Sequence, residues 1–289
     1  MKKAAAALLC FITALSLFWG CGNGYQSNSG SQVKVTSKNV KLGVLARTNA
    51  SEAEFNEEMK RIEKESAVDL YHTAVYYDNL PSMLMGLESG KLQEILIYDS
   101  VARYIVQGND MLELAEQHHK NSLYVMESFC CAVRKEDKEL LAKLNKAIDD
   151  MRSDGTLAKL TSKYITELGD KNPPAVSLGF TAGAPVLKIA ITGDLPPLDL
   201  IRSDGTPAGF NTAIMAELGK RMGMNVEIVQ LENRARASAL LSKKVDVVFW
   251  TMIPYGDENR MPENLDKPDD VSVSEPYYMD KVVHVKMKQ

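Results

Sequence analysis

Apolar positions along the chain switch between the two-residue spacing of strands and the three-to-four-residue spacing of helices. The first such segment predicts a strand over Val40–Ala46, followed by a helix that carries Phe55 and Ile62 on one face. Ser51 and Glu54 have the spacing of a capping box, in which each residue satisfies a free backbone N–H group of the other. The chain therefore opens its ordered part with a strand–helix unit.

Further units of this kind follow. A helix from about Pro81 leads into a strand over Glu94–Ile97, and a strand over Leu187–Ile191 precedes a helix and a strand over Val226–Val229. Strand–helix–strand units predict parallel pairing, and therefore an α/β fold. The segment "ASALLSKKVDVVFW" repeats the order of "LMGLESGKLQEILI": helix end, lysine, apolar strand. Two similar α/β units predict two lobes of related build.

Length and charge narrow the classes of function. The chain has 289 residues, enough for one large domain or two lobes with a sizeable core. Its formal net charge is −4 and its pI is near 5.7. Nucleic-acid binding usually requires a basic surface, so this balance argues against a nucleic-acid partner.

The N-terminus has the pattern of an export signal. "MKK" is followed by the apolar run Ala4–Trp19, which is short for a membrane span and typical of a secretory signal peptide. Gly20 before Cys21 resembles the cleavage box of a bacterial lipoprotein, which predicts a signal peptide over residues 1–21 and lipidation of Cys21; ordinary secretion is the alternative. Residues 22–39, rich in Gly, Ser and Asn, then form a flexible tether. We expect a periplasmic or cell-surface protein, held at the membrane by its N-terminal lipid.

Cysteines and histidines give no sign of a disulfide framework, a metal site or a cofactor. Cys130 and Cys131 are neighbours in a predicted strand and point to opposite faces, so a bond between them would be strained and buried free thiols are expected. Metal-ligand spacing is missing among the four histidines, which are His72, His118, His119 and His284.

The strongest signal is a resemblance that covers most of the chain. From residue 187, the pieces "GDLPPL", "DGTPAGFN", "LLSKKVDVV" and "SEPYYMDKVVHV" resemble the front of bacterial extracellular solute-binding proteins of family 3, the polar amino-acid type. Residues 40–170 resemble the back of the same family, through "KLGVLARTNASEAEF", "LESGKLQEILIYDSVARYIV" and "AVRKEDKELLAKLNKAIDDMRSDGTLAKLTSKYI". The resemblance implies a two-lobed α/β fold of the periplasmic-binding-protein type (type II-like).

The order of these pieces is rotated relative to the family. Residues 40–108 correspond to the second lobe, 109–170 to the C-terminal segment of the first lobe, and 187–289 to its N-terminal part. Residues 171–186, rich in Pro, Gly and Ala, would join the family's two termini. We interpret this order as a circular permutation, because every piece is present once and domain termini often lie close together at the surface. The alternative to a permutation is a gene fragment, or a chain that swaps halves between two copies. We expect a monomer.

The resemblance also implies a function and a site. Members of the family hold an amino acid between two lobes that close about a hinge, and pass it to the permease of an ABC transporter. An arginine and a nearby hydroxyl bind the carboxylate of the solute, a carboxylate of the second lobe takes its ammonium group, and an aromatic ring covers its side chain. Carried onto this sequence, these roles select the ligand-binding candidates Arg260, Thr251, Trp250, Asp194, Leu195, Thr48, Arg47, Tyr98 and Asp99.

Two positions depart from the family pattern. Where the ammonium-binding aspartate is expected, direct register gives Tyr98 with Asp99 one residue later, and where the stacking aromatic is expected stands Leu195, preceded by Asp194. These departures leave open a ligand-sensing or interaction module without transport. They also leave open a dehydratase-like enzyme on the same fold, with Asp194 or Asp99 as its acid–base group. Capture of an amino acid or similar polar solute, without catalysis, is the main hypothesis.

Overall fold

The computed structural model of the protein describes residues 40–66, 72–115, 126–169, 171–256 and 259–288. The predicted signal peptide, the tether, the lipidation candidate Cys21 and the pair His118–His119 lie outside these residues. Within the described ranges, no helix combines the length and the apolar character needed to cross a membrane.

Strands and helices alternate along the described residues. Up to the linker, the elements are β1 (Val40–Leu45), α1 (Glu52–Ser66), β2 (His72–Tyr77), α2 (Leu80–Glu88), β3 (Glu94–Tyr98), α3 (Asp99–Gly108), β4 (Leu112–Leu114), β5 (Met126–Arg134), α4 (Lys138–Ser153) and α5 (Thr156–Thr161), which continues as a π-helical turn over Ser162–Thr166. After the linker come β6 (Val186–Ile191), β7 (Asp194–Leu195), β8 (Asp199–Ile201), β9 (Pro207–Ala208), α6 (Phe210–Met222), β10 (Asn225–Gln230), α7 (Asn233–Leu241), β11 (Val247–Tyr255), a 3-10 turn (Glu263–Leu265), β12 (Val271–Val273) and β13 (Tyr278–Met287).

Two sets of strands make up the main sheet, and each belongs to one lobe. In the second lobe β1 pairs in parallel with β2 and β3, and in the first lobe β6 pairs in parallel with β10 and β11. The strand order is β10-β6-β11-β5-β13-β3-β1-β2, with β12 beside β5 and β4 beside β13. The parallel pairing predicted from the strand–helix–strand units is confirmed, and so is the two-lobed α/β architecture.

The antiparallel strand β13 joins the lobes. Residues Tyr278–Lys281 of β13 pair with β5, and the next residues, Val282–Val285, pair with β3 of the second lobe. A single strand thus belongs to both lobes, and a rotation of one lobe against the other must bend it near residue 281. The circular permutation of the lobes along the chain stays a prediction.

Local sequence chemistry fixes the start of α1 as expected. The backbone N–H of Ser51 donates to Glu54 Oε2 at 2.7 Å, and the N–H of Glu54 donates to Ser51 Oγ at 3.3 Å. This reciprocal pair is the predicted capping box. Cys130 and Cys131 lie in β5 as buried free thiols, which confirms that expectation also.

A segment of the first lobe reaches across to the second. Residues 259–266 leave β11 and pack Leu265 against Phe55 of α1, in a small core separate from the main one. The backbone N–H groups of Asn49 and Ala50 donate to the carbonyl oxygen of Leu265 at 3.1 and 2.9 Å. We call residues 259–266 the crossing segment, because it holds the two lobes together beside their junction.

The linker residues 171–185 form no helix and no named strand. A single bridge joins Ala175 to Ala208 of β9. The side chain of Asn225 binds Thr181 in both directions, accepting from its N–H at 2.8 Å and donating to its carbonyl at 2.9 Å. These contacts fasten the linker to the first lobe.

Candidate functional site

Residues of both lobes line a small cavity at their junction. Arg47 and Tyr98 come from the second lobe, whereas Glu127 of β5 and Met252 of β11 come from the first. The volume of the cavity is about 20 Å³, room for about one water molecule. Solute pockets usually enclose roughly 300–1,000 Å³. This cavity is therefore far too small for a solute, and side chains of both lobes fill most of the space around it.

Arg47 is the charged centre of this junction. Its Nη1 lies 2.8 Å from Asp266 Oδ2 and its Nη2 lies 3.1 Å from Glu127 Oε1. The side chain of Arg47 is 8% exposed and those of the two carboxylates are 3% exposed. The guanidinium carbon also lies 5.4 Å from the centre of the Phe55 ring. We call the three charged residues the Arg47 network. Arg47 belongs to the second lobe, Glu127 to β5 of the first lobe and Asp266 to the crossing segment.

Burial and pairing act in opposite directions within the Arg47 network. Burial disfavours the charged guanidinium, but Glu127 and Asp266 outweigh it and hold the pKa of Arg47 well above its usual value. Burial dominates at Glu127 and raises the pKa of that carboxyl despite the attraction of Arg47. Because two carboxylates share one guanidinium, moving Arg47 away would leave two buried negative charges without a partner.

Thr48 is tied to the same network through its backbone. Its N–H donates to Asp266 Oδ1 at 2.8 Å. Its side-chain Oγ1 is buried and has no hydrogen-bond partner among the described residues. The hydroxyl can therefore still accept or donate a hydrogen bond to a group entering the junction.

Aromatic side chains bridge the lobes next to this charged centre. Tyr98 ends β3 in the second lobe, and its ring meets Trp250 of β11 edge-on at a centroid distance of 6.0 Å. Phe129 of β5 lies 4.8 Å from the same tyrosine ring. All three rings are at least 95% buried, so they exclude water from this side of the junction.

Backbone strain marks the position of Trp250. The pairing of β11 with β5 shifts register between Phe249 and Thr251, which makes a β-bulge at Trp250. Trp250 has a φ of 40°, in the left-handed region that non-glycine residues rarely adopt. Bulges and such strained residues are concentrated beside functional sites, where they re-aim a side chain.

Arg236 of α7 lies over the face of Trp250. Its guanidinium carbon is 4.4 Å from the ring centre. The guanidinium donates to the carbonyl oxygens of Phe249 and Trp250 at 2.9 and 3.2 Å, and to the side-chain oxygen of Asn233. Arg236 is 1% exposed, and none of the described carboxylates lies within ion-pair distance of it. Burial lowers the pKa of Arg236 below its usual value.

Arg236 and the neighbouring residues Trp250 and Thr251 each carry an unused hydrogen-bonding atom. Arg236 Nε, Trp250 Nε1 and Thr251 Oγ1 are all buried without a hydrogen-bond partner in the described ranges. The first two can only donate, and the threonine hydroxyl can donate as well. A buried cation with free donors beside it is the chemistry that binds a carboxylate.

Asp194 and Leu195 form β7, which packs against α2 of the second lobe. Leu195 is 1% exposed and belongs to the main core, so its side chain serves packing. Burial raises the pKa of Asp194 to about 6, with the neighbouring charge of Asp199 adding to the effect. The half-buried carboxyl of Asp194 therefore keeps its proton to a higher pH than an exposed aspartate does.

Asp99 and Arg260 have contacts away from the cavity. The Asp99 carboxylate pairs with Arg103 at 2.7 Å and with Lys281 at 3.7 Å. The side chain of Arg260 is exposed, and its carbonyl oxygen accepts from Arg61 of α1 at 3.2 Å. Neither residue lines the junction cavity.

Of the nine predicted ligand-binding residues, Asp194 and Leu195 touch the second lobe through β7. Five lie around the cavity and the aromatic rings beside it: Arg47, Thr48, Tyr98, Trp250 and Thr251. Three residues there were missed, namely Arg236, Glu127 and Asp266. The sequence held a signal for two of them. Arg236 falls at helical spacing with Ala239 and Leu240, which are buried, and Glu127 interrupts an apolar strand. No local pattern marks Asp266, because its role depends on the path of the crossing segment.

The comparisons with known proteins agree with a solute-binding fold. The sequence model of the family "bacterial extracellular solute-binding proteins, family 3" matches residues 23–167 and 187–289. No curated protein matches the sequence.

Several solved structures are similar over most of the chain. A zinc-bound ligand-binding component of an ABC-type import system from Staphylococcus aureus is 11% identical, with a TM-score of 0.42 over 86% of this chain and 66% of that one. A putative methionine-binding lipoprotein from Bacillus subtilis is 12% identical, with a TM-score of 0.40 over 87% and 84%. A ligand-binding core from Nostoc punctiforme in complex with L-glutamate is 8% identical, with a TM-score of 0.36 over 86% and 85%. The chain spans just under two thirds of the length of the first of these, and likeness at this level identifies no ligand.

Proposed function

Because the chain belongs to the bacterial extracellular solute-binding proteins of family 3, we propose that it captures an amino acid or a similar small polar solute between its two lobes. The solute is then delivered to the permease of an ABC transporter. Lipidation of Cys21 would hold the protein at the outer face of the cytoplasmic membrane or at the cell surface, within reach of that permease.

Arg236 is the observation that carries the proposal. Fully burying a cation is costly unless a negative charge offsets it. No described carboxylate lies within ion-pair distance of Arg236, and the attraction of Asp199 and Asp266 from farther away does not outweigh its burial. Its Nε is still free, and Trp250 Nε1 and Thr251 Oγ1 are unused beside it. The carboxylate of a solute would supply the missing charge and accept from these donors. We therefore assign the carboxylate-binding role to Arg236, in place of the exposed Arg260.

The remaining groups suit the rest of an amino acid. Glu127 Oε2 is buried and unbonded, which makes it a candidate for the ammonium group. Tyr98 and Trp250 meet across the lobes and offer ring surfaces to an apolar side chain. Thr48 Oγ1 adds one further polar contact from the second lobe.

Binding requires the lobes to separate first, because a cavity of about 20 Å³ cannot admit an amino acid. Opening would bend β13 and break three ion pairs across the junction. These are Arg47–Asp266 at 2.8 Å, Arg47–Glu127 at 3.1 Å and Arg234–Asp78 at 2.9 Å. The contacts of the solute must therefore contribute more free energy to the closed state than the charge pairs that the solute displaces.

Thermal unfolding with a panel of amino acids and small polar acids tests the proposal. Only the folded state binds, so the unfolding temperature should rise with one ligand and rise further with its concentration. Arg236→Gln should abolish the shift, whereas Arg260→Gln is the matched control and should keep it. Loss of the shift in Arg260→Gln alone would return the carboxylate-binding role to Arg260.

One feature favours a second function, a sensing or interaction module without transport. The Arg47 network closes the junction with groups of the protein itself, which leaves less need for a solute. On this alternative, the parent protein unfolds cooperatively and no compound in the panel changes its unfolding temperature. Arg47→Met, which loosens the junction, would then also fail to reveal a ligand.

A further inference from the structure

A second constellation of polar side chains lies in the second lobe, outside the junction. His72, Glu94 and His284 each offer one ligand atom, and these three atoms lie within 4.8 Å of one another. We propose that His72, Glu94 and His284 form a binding site for a divalent transition-metal ion such as Zn²⁺.

Three strands of the sheet hold these residues on one face. His72 is the first residue of β2, Glu94 the first of β3, and His284 lies in β13 opposite Leu96. Side chains two apart along a strand share a face, so His72 lies on the same face as Ala74, and Glu94 on the same face as Leu96. Strands give a more rigid base for ligands than loops do.

The ligand atoms are already close to the spacing that a metal needs. Glu94 Oε2 lies 2.6 Å from His284 Nδ1 and 3.7 Å from His72 Nε2. The two imidazole rings are tilted, with centroids 5.2 Å apart. Bonds of about 2.0–2.1 Å in a tetrahedron place ligand atoms about 3.3 Å from one another. Small rotations of the side chains would reach that spacing without moving the strands.

The types of ligand select the class of ion. Two imidazoles and one carboxylate suit zinc and related transition metals, whereas Ca²⁺ and Mg²⁺ prefer oxygen ligands alone. The three side chains are 20–27% exposed, so an ion can enter from solvent and keep water in its remaining positions. No local pattern predicts this site, because its ligands are 22 and 190 residues apart along the chain and only the sheet brings them together.

The test is titration of the purified, untagged and metal-free protein with Zn²⁺, followed by calorimetry. The parent should bind one equivalent at this site. His72→Gln combined with His284→Gln should weaken that binding at least about 100-fold, since even loss of groups that only orient ligands costs about 10–100-fold. His118→Gln combined with His119→Gln is the matched control, because it removes two histidines and leaves the three proposed ligands intact.

Two further measurements complete the test. Far-UV circular dichroism of the metal-free variants must match the parent, so that lost binding reports lost ligands. Glu94→Gln, which keeps the shape but removes the charge, should also weaken Zn²⁺ binding, and Mg²⁺ should not compete. Equal Zn²⁺ affinity in the parent and the His72/His284 variant would overturn the proposal, as would a parent that binds no Zn²⁺ or loses binding only in the control.

Discussion

Replacing Arg47 with methionine tests whether the buried charge network holds the lobes together. Methionine has a similar length and removes the charge. The change leaves Glu127 and Asp266, both 3% exposed in their side chains, without the partner that lies 3.1 and 2.8 Å away. A charge pair 4 Å apart is worth roughly 4 kcal/mol at an effective dielectric constant of about 20. Methionine also removes the free-energy cost of burying a charged guanidinium, which offsets part of that loss. Removing one partner of a buried pair typically costs about 3–5 kcal/mol.

Urea unfolding followed by circular dichroism measures this loss as a change in the free energy of unfolding. The expected loss is about 3–5 kcal/mol at pH 8. Burial raises the pKa of Glu127, so this carboxyl gains protons more readily in the folded state than in the unfolded state. The stability linked to that proton is present at low pH and is lost as the pH rises through the folded pKa. Without Arg47 the pKa of Glu127 in the folded state should rise further. The variant should therefore lose less stability relative to the parent at pH 5 than at pH 8.

Two further variants separate charge from packing. Arg47→Met combined with Glu127→Gln and Asp266→Asn removes all three charges and should recover most of the lost stability, because no unpaired charge stays buried. Arg61→Met is the matched control. That arginine pairs with Glu58 and Glu65 on the exposed side of α1, and its loss should change little. A loss below about 1 kcal/mol in Arg47→Met, or no recovery in the triple variant, would mean that the Arg47 network does not hold the lobes together.

Three other predictions follow from single positions. Gly209 has a φ of 101°, and a Cβ there would meet two backbone carbonyl oxygens at 2.7 and 2.8 Å, whereas Gly205, at φ 82°, has open space. Gly209→Ala should therefore cost about 3 kcal/mol or more in urea unfolding and Gly205→Ala about 1 kcal/mol; equal losses would contradict the difference in space. Burial raises the pKa of Asp194 to about 6, so its contribution to stability is present below about pH 4 and is lost as the pH rises through 6. Asp194→Asn should accordingly gain stability relative to the parent between pH 4 and pH 7, and a constant difference across that range would show that the carboxyl is not perturbed. Burial also raises the pKa of Cys130 to about 12 and that of Cys131 well above its usual range, so neither thiol should react with iodoacetamide at pH 8 until urea unfolds the chain. Peptide mapping by mass spectrometry gives the outcome, and rapid labelling of the native protein would mean that β5 opens.

Local pattern was sufficient for the elements of the fold. The capping box of Ser51 and Glu54, the apolar face of α1 and the parallel pairing around β1 and β6 all follow from residues close in sequence. Such features depend on backbone chemistry and on the period of the apolar positions, which any stretch of the chain carries within itself. Order and spacing of short motifs were likewise enough to place the chain in its family.

The candidate site needed the folded chain. Arg236, an arginine of α7, faces Trp250 because a β-bulge re-aims that tryptophan, and a bulge leaves no local pattern. Asp266 reaches Arg47 across 219 positions of sequence only because the crossing segment passes over the second lobe.

Residues close together in the chain are thus enough to specify the strands, the helices and the family that they build. Which charges are buried, which of them are paired, and which histidines meet a glutamate on the sheet depends on long-range packing. Propensity and periodicity act over only a few residues. Desolvation and charge pairing, in contrast, depend on neighbours that only long-range packing brings together.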